Sequence, residues 1–134
     1  MKSILTFSLI LTIASLSAQM TPEEVVQKQL ETYNNLDIDG FMSVIDQNIS
    51  MHDFASGKIT LEGYDACEKV YADLFEASPN LHSKIITRTV FDNKVIDHEH
   101  ITGRKGSDIP IELVLIYEVN DEKITKISVL RKQE

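Results

Sequence analysis

Two histidines and two acids alternate along residues 94–104, and together they could do acid–base chemistry. In a β-strand, successive side chains point to opposite faces, so His98 and His100 share one face. Asp97 and Glu99 share the other. Buried imidazoles need polar partners or water opposite them. We therefore predict that the two histidines face a half-apolar pocket, and that the two acids lie on the solvated or dimer-facing side.

A carboxylate ends an earlier alternating stretch, residues 48–54, where Asp53 follows Ile49 and Met51 on one face. A carboxylate held in a dry pocket has a raised pKa and can abstract a proton next to a carbonyl group. A nearby His52, His98 or His100 could polarise the developing oxyanion or shuttle the proton. Asp53 is therefore the candidate general base, with His98 and His100 as its catalytic partners.

The same residues also have structural interpretations. Asp53 could cap the turn that follows its strand, which is a common role for Asp at such a place. The two histidines could be hydrogen-bonded to Tyr71, Tyr117 or the backbone inside a packed core. Glu99 could pair across strands with Arg88.

Two imidazoles and a carboxylate would also suit zinc or iron. The sequence fixes no third ligand beside His98 and His100, and the one cysteine, Cys67, cannot form an internal disulfide or a cysteine-ligated zinc site. We therefore expect neither a metal nor an organic cofactor.

Composition restricts the partners of the chain. It has 134 residues, 43% of them hydrophobic and 25% charged, which fits one globular domain. The formal net charge is −8, and the sequence pI is about 4.9. An acidic protein without a basic run is a poor ligand for nucleic acid or for an anionic membrane surface.

The first 18 residues predict a secretory signal peptide. Lys2 precedes an apolar run, residues 4–14, and small residues precede Gln19. This run is too short for a stable membrane anchor. We therefore expect an exported protein, periplasmic or secreted, whose domain spans residues 19–134 and does not contact the membrane after cleavage.

The remaining chain predicts helices early and strands late. Helix signals begin at Thr21, at Asp37 and at Gly63, and alternating stretches cover residues 48–54 and 81–131 with short turns between them. This order predicts an α+β fold in which a cone-shaped, curved antiparallel sheet wraps around three N-terminal helices. The cone would enclose a cavity, the usual place for a small ligand.

This order and several short strings resemble the nuclear transport factor 2-like superfamily, which includes ketosteroid isomerase and the SnoaL-like polyketide cyclases. The resemblance covers essentially residues 21–132. Its strings are residues 25–27, 34–41, 62–66 with 70–71, 95–99 and 123–127.

The resemblance implies a set of site residues. Asp53 stands at the place of the isomerase's general base, whereas Gln29 and Leu115 stand at the places of its two oxyanion donors, so a strict steroid isomerase is not implied. Tyr33, one turn beyond Gln29, could face the cavity instead. The implied ligand-binding residues are Gln29, Tyr33, His52, Tyr71, Leu115 and Tyr117.

The sequence thus predicts a protein that binds a small apolar or amphipathic molecule. The leading interpretation is a lyase or isomerase that uses a general-base carboxylate on a small apolar carbonyl compound. The alternative is a non-catalytic ligand-binding or dimerisation module. The resemblance also implies a homodimer formed through the outer face of the sheet, with Val95, Val114 and Ile116 as its apolar part.

Overall fold

A capping box starts the first helix of the computed structural model, which describes residues 13–14 and 17–133. The backbone N–H of Glu24 donates to Thr21 Oγ1, while the Glu24 carboxylate accepts from the backbone N–H of Thr21. Pro22 takes the first helical position, as predicted. The predicted signal peptide lies mostly outside the described residues.

Over the described residues, three helices and six strands follow one another in the predicted order. The helices are α1 (Pro22–Asn34), α2 (Ile38–Met42) and α3 (Tyr64–Glu76). The strands are β1 (Ile45–Asp53), β2 (Ile59–Glu62), β3 (His82–Phe91), β4 (Lys94–Thr102), β5 (Ile111–Asn120) and β6 (Lys123–Arg131). A short 3-10 turn, Arg104–Gly106, connects β4 to the loop before β5.

The strands form one curved sheet in the order β2-β1-β6-β5-β4-β3. All neighbours are antiparallel except β1 and β6, which are parallel. The α+β cone fold is confirmed, but the sheet is mixed rather than purely antiparallel. The long connection from β1 through α3 and the later hairpins lets β6 return beside β1 in the same direction.

The core lies between the helices and the inner face of the sheet. From α1 it takes Val25, Val26 and Tyr33, and from α3 it takes Cys67, Leu74 and Phe75. An aromatic cluster joins the helices: the rings of Phe41 and Tyr71 lie 4.3 Å apart, and Tyr33 and Phe75 pack edge-on beside them. Such packing holds α1, α2 and α3 as one layer over the sheet.

Gly103 turns the chain sharply after β4. Its φ of +73° is in the left-handed region that favours glycine, and a Cβ at this position would collide with the backbone carbonyl of Asn80. The turn places Arg104 directly after the end of the strand.

Candidate functional site

A cavity of about 240 Å³ lies between the helix layer and the inner face of the sheet. Its wall is largely apolar, and its polar groups come from separate elements. The apolar side chains include Leu30, Met51, Leu61, Leu74, Ile101, Leu113, Leu115 and Val129. The polar ones are Gln29, Tyr33, Thr60, Tyr71, Glu99, Arg104, Tyr117 and Arg131.

Glu99 is the acid of the cavity wall, and it is only 4% exposed. The Ser83 hydroxyl donates to Glu99 Oε2 at 2.8 Å, and the Tyr117 hydroxyl donates to Oε1 at 3.1 Å. Ser83 is itself fixed by Asn34 at the end of α1, which accepts from its N–H at 2.7 Å and donates to its carbonyl at 3.0 Å. The carboxyl group is therefore held in one orientation by β3, β5 and α1.

Burial raises the pKa of Glu99 from 4.5 to about 7. The hydrogen bonds from Ser83 and Tyr117 favour the charged form and limit this rise, whereas the nearby charge of Asp97 adds to it. A carboxyl group with a pKa near neutrality can both take and return a proton at physiological pH.

Two polar side chains of α1 open into the same cavity. Gln29 and Tyr33 lie one helical turn apart and line its wall. The polar ends of Gln29 and Tyr33 make no hydrogen bond with a described residue. Every fully buried polar side-chain atom of the described residues has a hydrogen-bond partner, so these two ends are not fully buried but open to the cavity. Burial raises the pKa of Tyr33 to about 12, so its hydroxyl keeps its proton at neutral pH.

A buried ion pair lies next to Glu99 but outside the cavity wall. Arg88 on β3 donates from Nε to Asp97 Oδ1 at 2.7 Å and from Nη2 to Oδ2 at 2.8 Å. Its Nη1 also donates to Gln27 Oε1 on α1 at 2.9 Å. The predicted pairing of Arg88 with Glu99 is therefore wrong, since Asp97 is the residue directly across the strands.

The expected inward orientation of His98 and His100 is also wrong. Their face of β4 is the outer one, where His98 Nε2 lies 2.6 Å from Glu112 Oε1 and neither ring lines the cavity. Asp97 and Glu99 point inward, contrary to the expected solvated or dimer-facing side. Val95, predicted on the outer face, is also fully buried on the inner face, because it lies on the same side of the strand as the two acids.

Asp53 lies outside the cavity wall, at the turn after β1. Its carboxylate accepts from the Ser56 backbone N–H at 2.8 Å and from the Ser56 hydroxyl at 2.6 Å. These hydrogen bonds lower its pKa below the usual value, which is the opposite of what a general base needs. Asp53 thus occupies the turn-capping position that the sequence offered as its structural interpretation.

The six residues predicted to bind a ligand divide by position. Gln29, Tyr33, Tyr71, Leu115 and Tyr117 all lie in the cavity wall. His52 does not, because it points to the outer face and its Nε2 lies 2.9 Å from Ser50 Oγ. Ligand binding by the five wall residues stays a prediction.

The sequence contained a signal that pointed to Glu99. On its face of β4, Val95 and Ile101 flank the two acids, whereas the histidine face begins with Lys94 and ends with Thr102. β-Branched residues at both ends of a face favour the core side of a strand. The signal is weak, because the histidine face also carries Ile96 and ends with the β-branched Thr102, so it did not decide which face is buried.

Neither a metal cluster nor a membrane span is found in the described part of the chain. No three His, Cys, Asp or Glu side chains within residues 13–14 and 17–133 come together as metal ligands. Over the same residues, no helix has the length and apolar character needed to cross a bilayer.

Comparison with known proteins identifies the family. The family model of the SnoaL-like domain matches residues 26–127. The chain belongs to the SnoaL-like domain family. No curated protein matches this SnoaL-like chain at a significant level.

Solved structures share the fold of the SnoaL-like chain. An uncharacterised cystatin-fold protein from Novosphingobium aromaticivorans is 22% identical with a TM-score of 0.75, covering 84% of this chain and 99% of its own. A nuclear transport factor 2-like protein of unknown function from Cytophaga hutchinsonii is 14% identical with a TM-score of 0.71, covering 87% and 95%. A candidate ketosteroid isomerase from Kribbella flavida is 10% identical with a TM-score of 0.71, covering 84% and 78%. At such identities the likeness concerns the fold alone.

Proposed function

We propose that this SnoaL-like protein binds a small, mostly apolar carbonyl compound and acts on it as an isomerase or lyase, with Glu99 as the general base. The observation that carries the proposal is a carboxyl group, 4% exposed and with a pKa of about 7, in the wall of a largely apolar cavity. The candidate ketosteroid isomerase among the structural neighbours is consistent with this class of chemistry.

The proton transfer would use Glu99 together with Tyr33 or Gln29, which line the same cavity. The Glu99 carboxylate takes a proton from the carbon next to the carbonyl group, and the electron pair of that C–H bond moves onto the carbonyl oxygen. The Tyr33 hydroxyl or the Gln29 amide N–H, both open to the cavity, donates to this oxyanion. Glu99 then returns the proton to a different carbon in an isomerase, or a leaving group departs in a lyase.

Hydrogen–deuterium exchange tests Glu99 directly. Small cyclic ketones, beginning with 2-cyclohexen-1-one, are incubated with the protein in D₂O, and loss of the proton signals next to the carbonyl is followed by NMR. Glu99→Gln should slow the protein-dependent exchange about 100-fold, which is typical for loss of a general base. The rate of the wild-type protein should rise with pH and level off above about pH 7, because the ionised form of Glu99 is the base.

Two other acids supply the controls. Glu112→Gln removes a carboxylate from the outer face of β5, and Asp53→Asn removes the turn carboxylate after β1. Both variants should keep wild-type exchange. Exchange that survives Glu99→Gln, that disappears in Asp53→Asn, or that never exceeds the buffer rate with any ketone would reject the proposal.

A non-catalytic binding module is the second candidate. One observation favours it: both oxygens of Glu99 already accept hydrogen bonds, from Ser83 and Tyr117, as in a fixed acceptor for a ligand. Native mass spectrometry of the purified protein separates the two candidates. A retained small molecule without any proton exchange would favour the module.

We further propose that two copies of the chain pair through the outer face of the sheet. Ile96 and Ile116 lie directly across from each other on β4 and β5, and Val114 lies across from His98. With Leu130 of β6, which is 38% exposed, they form a half-exposed apolar area on that face. Polar side chains surround it, among them His98 with Glu112.

A further inference from the structure

Two of the three arginines of this acidic chain line the cavity. Arg104 lies in the turn after β4, and Arg131 is the last residue of β6. The wall contains one other charged residue, Glu99. Since the formal net charge of the chain is −8, the placement of two guanidinium groups at one cavity runs against its overall composition.

Neither guanidinium is paired with an acid of the described residues. Within residues 13–14 and 17–133, Arg104 and Arg131 make no ion pair and no side-chain hydrogen bond. In Arg88, the third arginine, each guanidinium nitrogen donates a hydrogen bond, two to Asp97 and one to Gln27. The charge of Arg131 contributes to the lowered pKa of Asp53, but the Asp53 carboxylate accepts its hydrogen bonds from Ser56 and forms no ion pair with Arg131.

The two arginines are the more solvent-exposed charged groups of the cavity wall and define its mouth, whereas Glu99 is buried. Arg131 is exposed and Arg104 half-buried, whereas Glu99 is 4% exposed. Gly103 favours the turn that carries Arg104, because a Cβ at this position would collide with the Asn80 carbonyl. A ligand that enters this cavity from solvent would therefore meet the more exposed guanidinium groups before the buried Glu99 carboxyl group.

We propose that the ligand of this cavity is a small amphipathic carboxylate. Its apolar body fills the cavity, and its carboxylate is bound at the mouth by Arg104 and Arg131. A guanidinium group presents paired N–H donors that match a carboxylate in a bidentate way. The cavity of about 240 Å³ is below the roughly 300–1,000 Å³ of pockets for drug-sized ligands, so the body is small. This inference rests on the proposed function for the location of the site, but its test measures binding alone.

Calorimetric titration with three matched probes tests the charge preference. The probes share one ring: cyclohexanecarboxylate, the neutral cyclohexanemethanol and cyclohexyl phosphate. The carboxylate should bind at least about tenfold more tightly than the alcohol, as expected for charge-assisted hydrogen bonds. The double variant Arg104→Gln/Arg131→Gln should lose this preference while its affinity for the alcohol stays within about twofold of wild type.

The neighbouring lysines provide a matched control. Lys105→Gln/Lys132→Gln removes the same charge at adjacent positions whose side chains do not line the cavity. This variant should keep the full preference for the carboxylate. Circular dichroism and thermal unfolding check that both double variants fold.

Several outcomes would overturn the inference. The inference fails if the protein binds carboxylate and alcohol equally tightly or binds neither. It also fails if the lysine double variant loses the carboxylate preference as much as the arginine double variant does. Tighter binding of cyclohexyl phosphate than of cyclohexanecarboxylate would show that the site prefers a phosphate ester to a carboxylate. The wild-type protein separates this inference from the proposed function: a preference for the carboxylate without any protein-dependent proton exchange in wild type would end the catalytic proposal alone.

Discussion

Glu99 and Asp53 are similar carboxylic acids in opposite surroundings. Glu99 is buried and its pKa is raised to about 7, whereas Asp53 is solvated, accepts two hydrogen bonds from Ser56, and has a lowered pKa. Desolvation disfavours a charge, and hydrogen bonds to the charged form favour it. The identity of the residue thus decides little about its chemistry, and its surroundings decide most of it.

At the residue scale, we predict that Glu99→Gln stabilises the fold increasingly as the pH rises from about 4.5 to about 7. Below this window Glu99 is protonated in both states. Within it the unfolded chain loses its proton first, so ionisation favours unfolding, and above about pH 7 the cost levels off at about 3 kcal/mol. Gln removes this cost and can still bond to Ser83 and Tyr117. Urea unfolding at pH 5, 6, 7 and 8 measures the difference from wild type.

Asp53→Asn is the control with the opposite sign. Because the folded state lowers the pKa of Asp53, its carboxylate stabilises the fold above the unfolded pKa of about 3.8 and loses this effect as the pH falls. The difference between Asp53→Asn and wild type should therefore shrink in acid. A pH-independent difference for Glu99→Gln would contradict the assigned pKa.

At the element scale, β4 connects the outer surface with the cavity. Its inner face carries Asp97, bound to Arg88 of β3, and Glu99, bound to Ser83 and Tyr117. Its outer face carries His98, paired with Glu112 of β5. Each acid on the inner face therefore meets a specific partner on a neighbouring strand, which compensates the cost of burying it. The strand then ends at Gly103, which directs Arg104 to the cavity.

Substitution of Gly103 tests how rigidly this strand end is built. We predict that Gly103→Ala destabilises the fold by more than about 2 kcal/mol, because it adds a steric collision with the Asn80 carbonyl to the strain of a positive φ. The matched control is Gly106→Ala, at φ +72°, where a Cβ would meet nothing within 4 Å. It should cost about 1–2 kcal/mol from φ alone. Urea unfolding compares the two, and equal costs would contradict the role of the close approach.

On the scale of the whole molecule, the curved sheet has two faces that differ in what they carry. The inner face carries the core and the cavity, and the outer face carries the half-exposed apolar side chains around Ile116. The predicted homodimer would cover that outer face and leave the cavity inside each copy. Export by a signal peptide stays a prediction, because residues 1–18 lie mostly outside the described part of the chain.

We predict that Ile116→Lys converts a dimer into a folded monomer. A lysine at the centre of an apolar interface introduces a charge that the partner does not pair. Light scattering coupled to size exclusion measures the mass, and circular dichroism checks the fold. Ile109→Lys, in the loop before β5 where Ile109 is 77% exposed, should remain dimeric. A wild-type monomer at micromolar concentration would reject pairing through this face.

The fold was predictable because its signals are local. The capping box at Thr21 and Glu24, the turn after β3 and the alternation along β4 and β5 each depend on residues within a few positions of one another. The five wall residues Gln29, Tyr33, Tyr71, Leu115 and Tyr117 followed once the fold was assigned.

The sequence by itself determined the order of the elements and which residues of β4 share a face. Only the tertiary structure decided which of those faces looks inward. Both faces of β4 mix apolar and ionisable side chains, so their burial depends on partners far away in the chain: Arg88 for Asp97, and Ser83 with Tyr117 for Glu99. Because the side-chain period of a strand is two, a shift of one residue exchanges the histidines with the acids, and only these distant contacts select between the two arrangements.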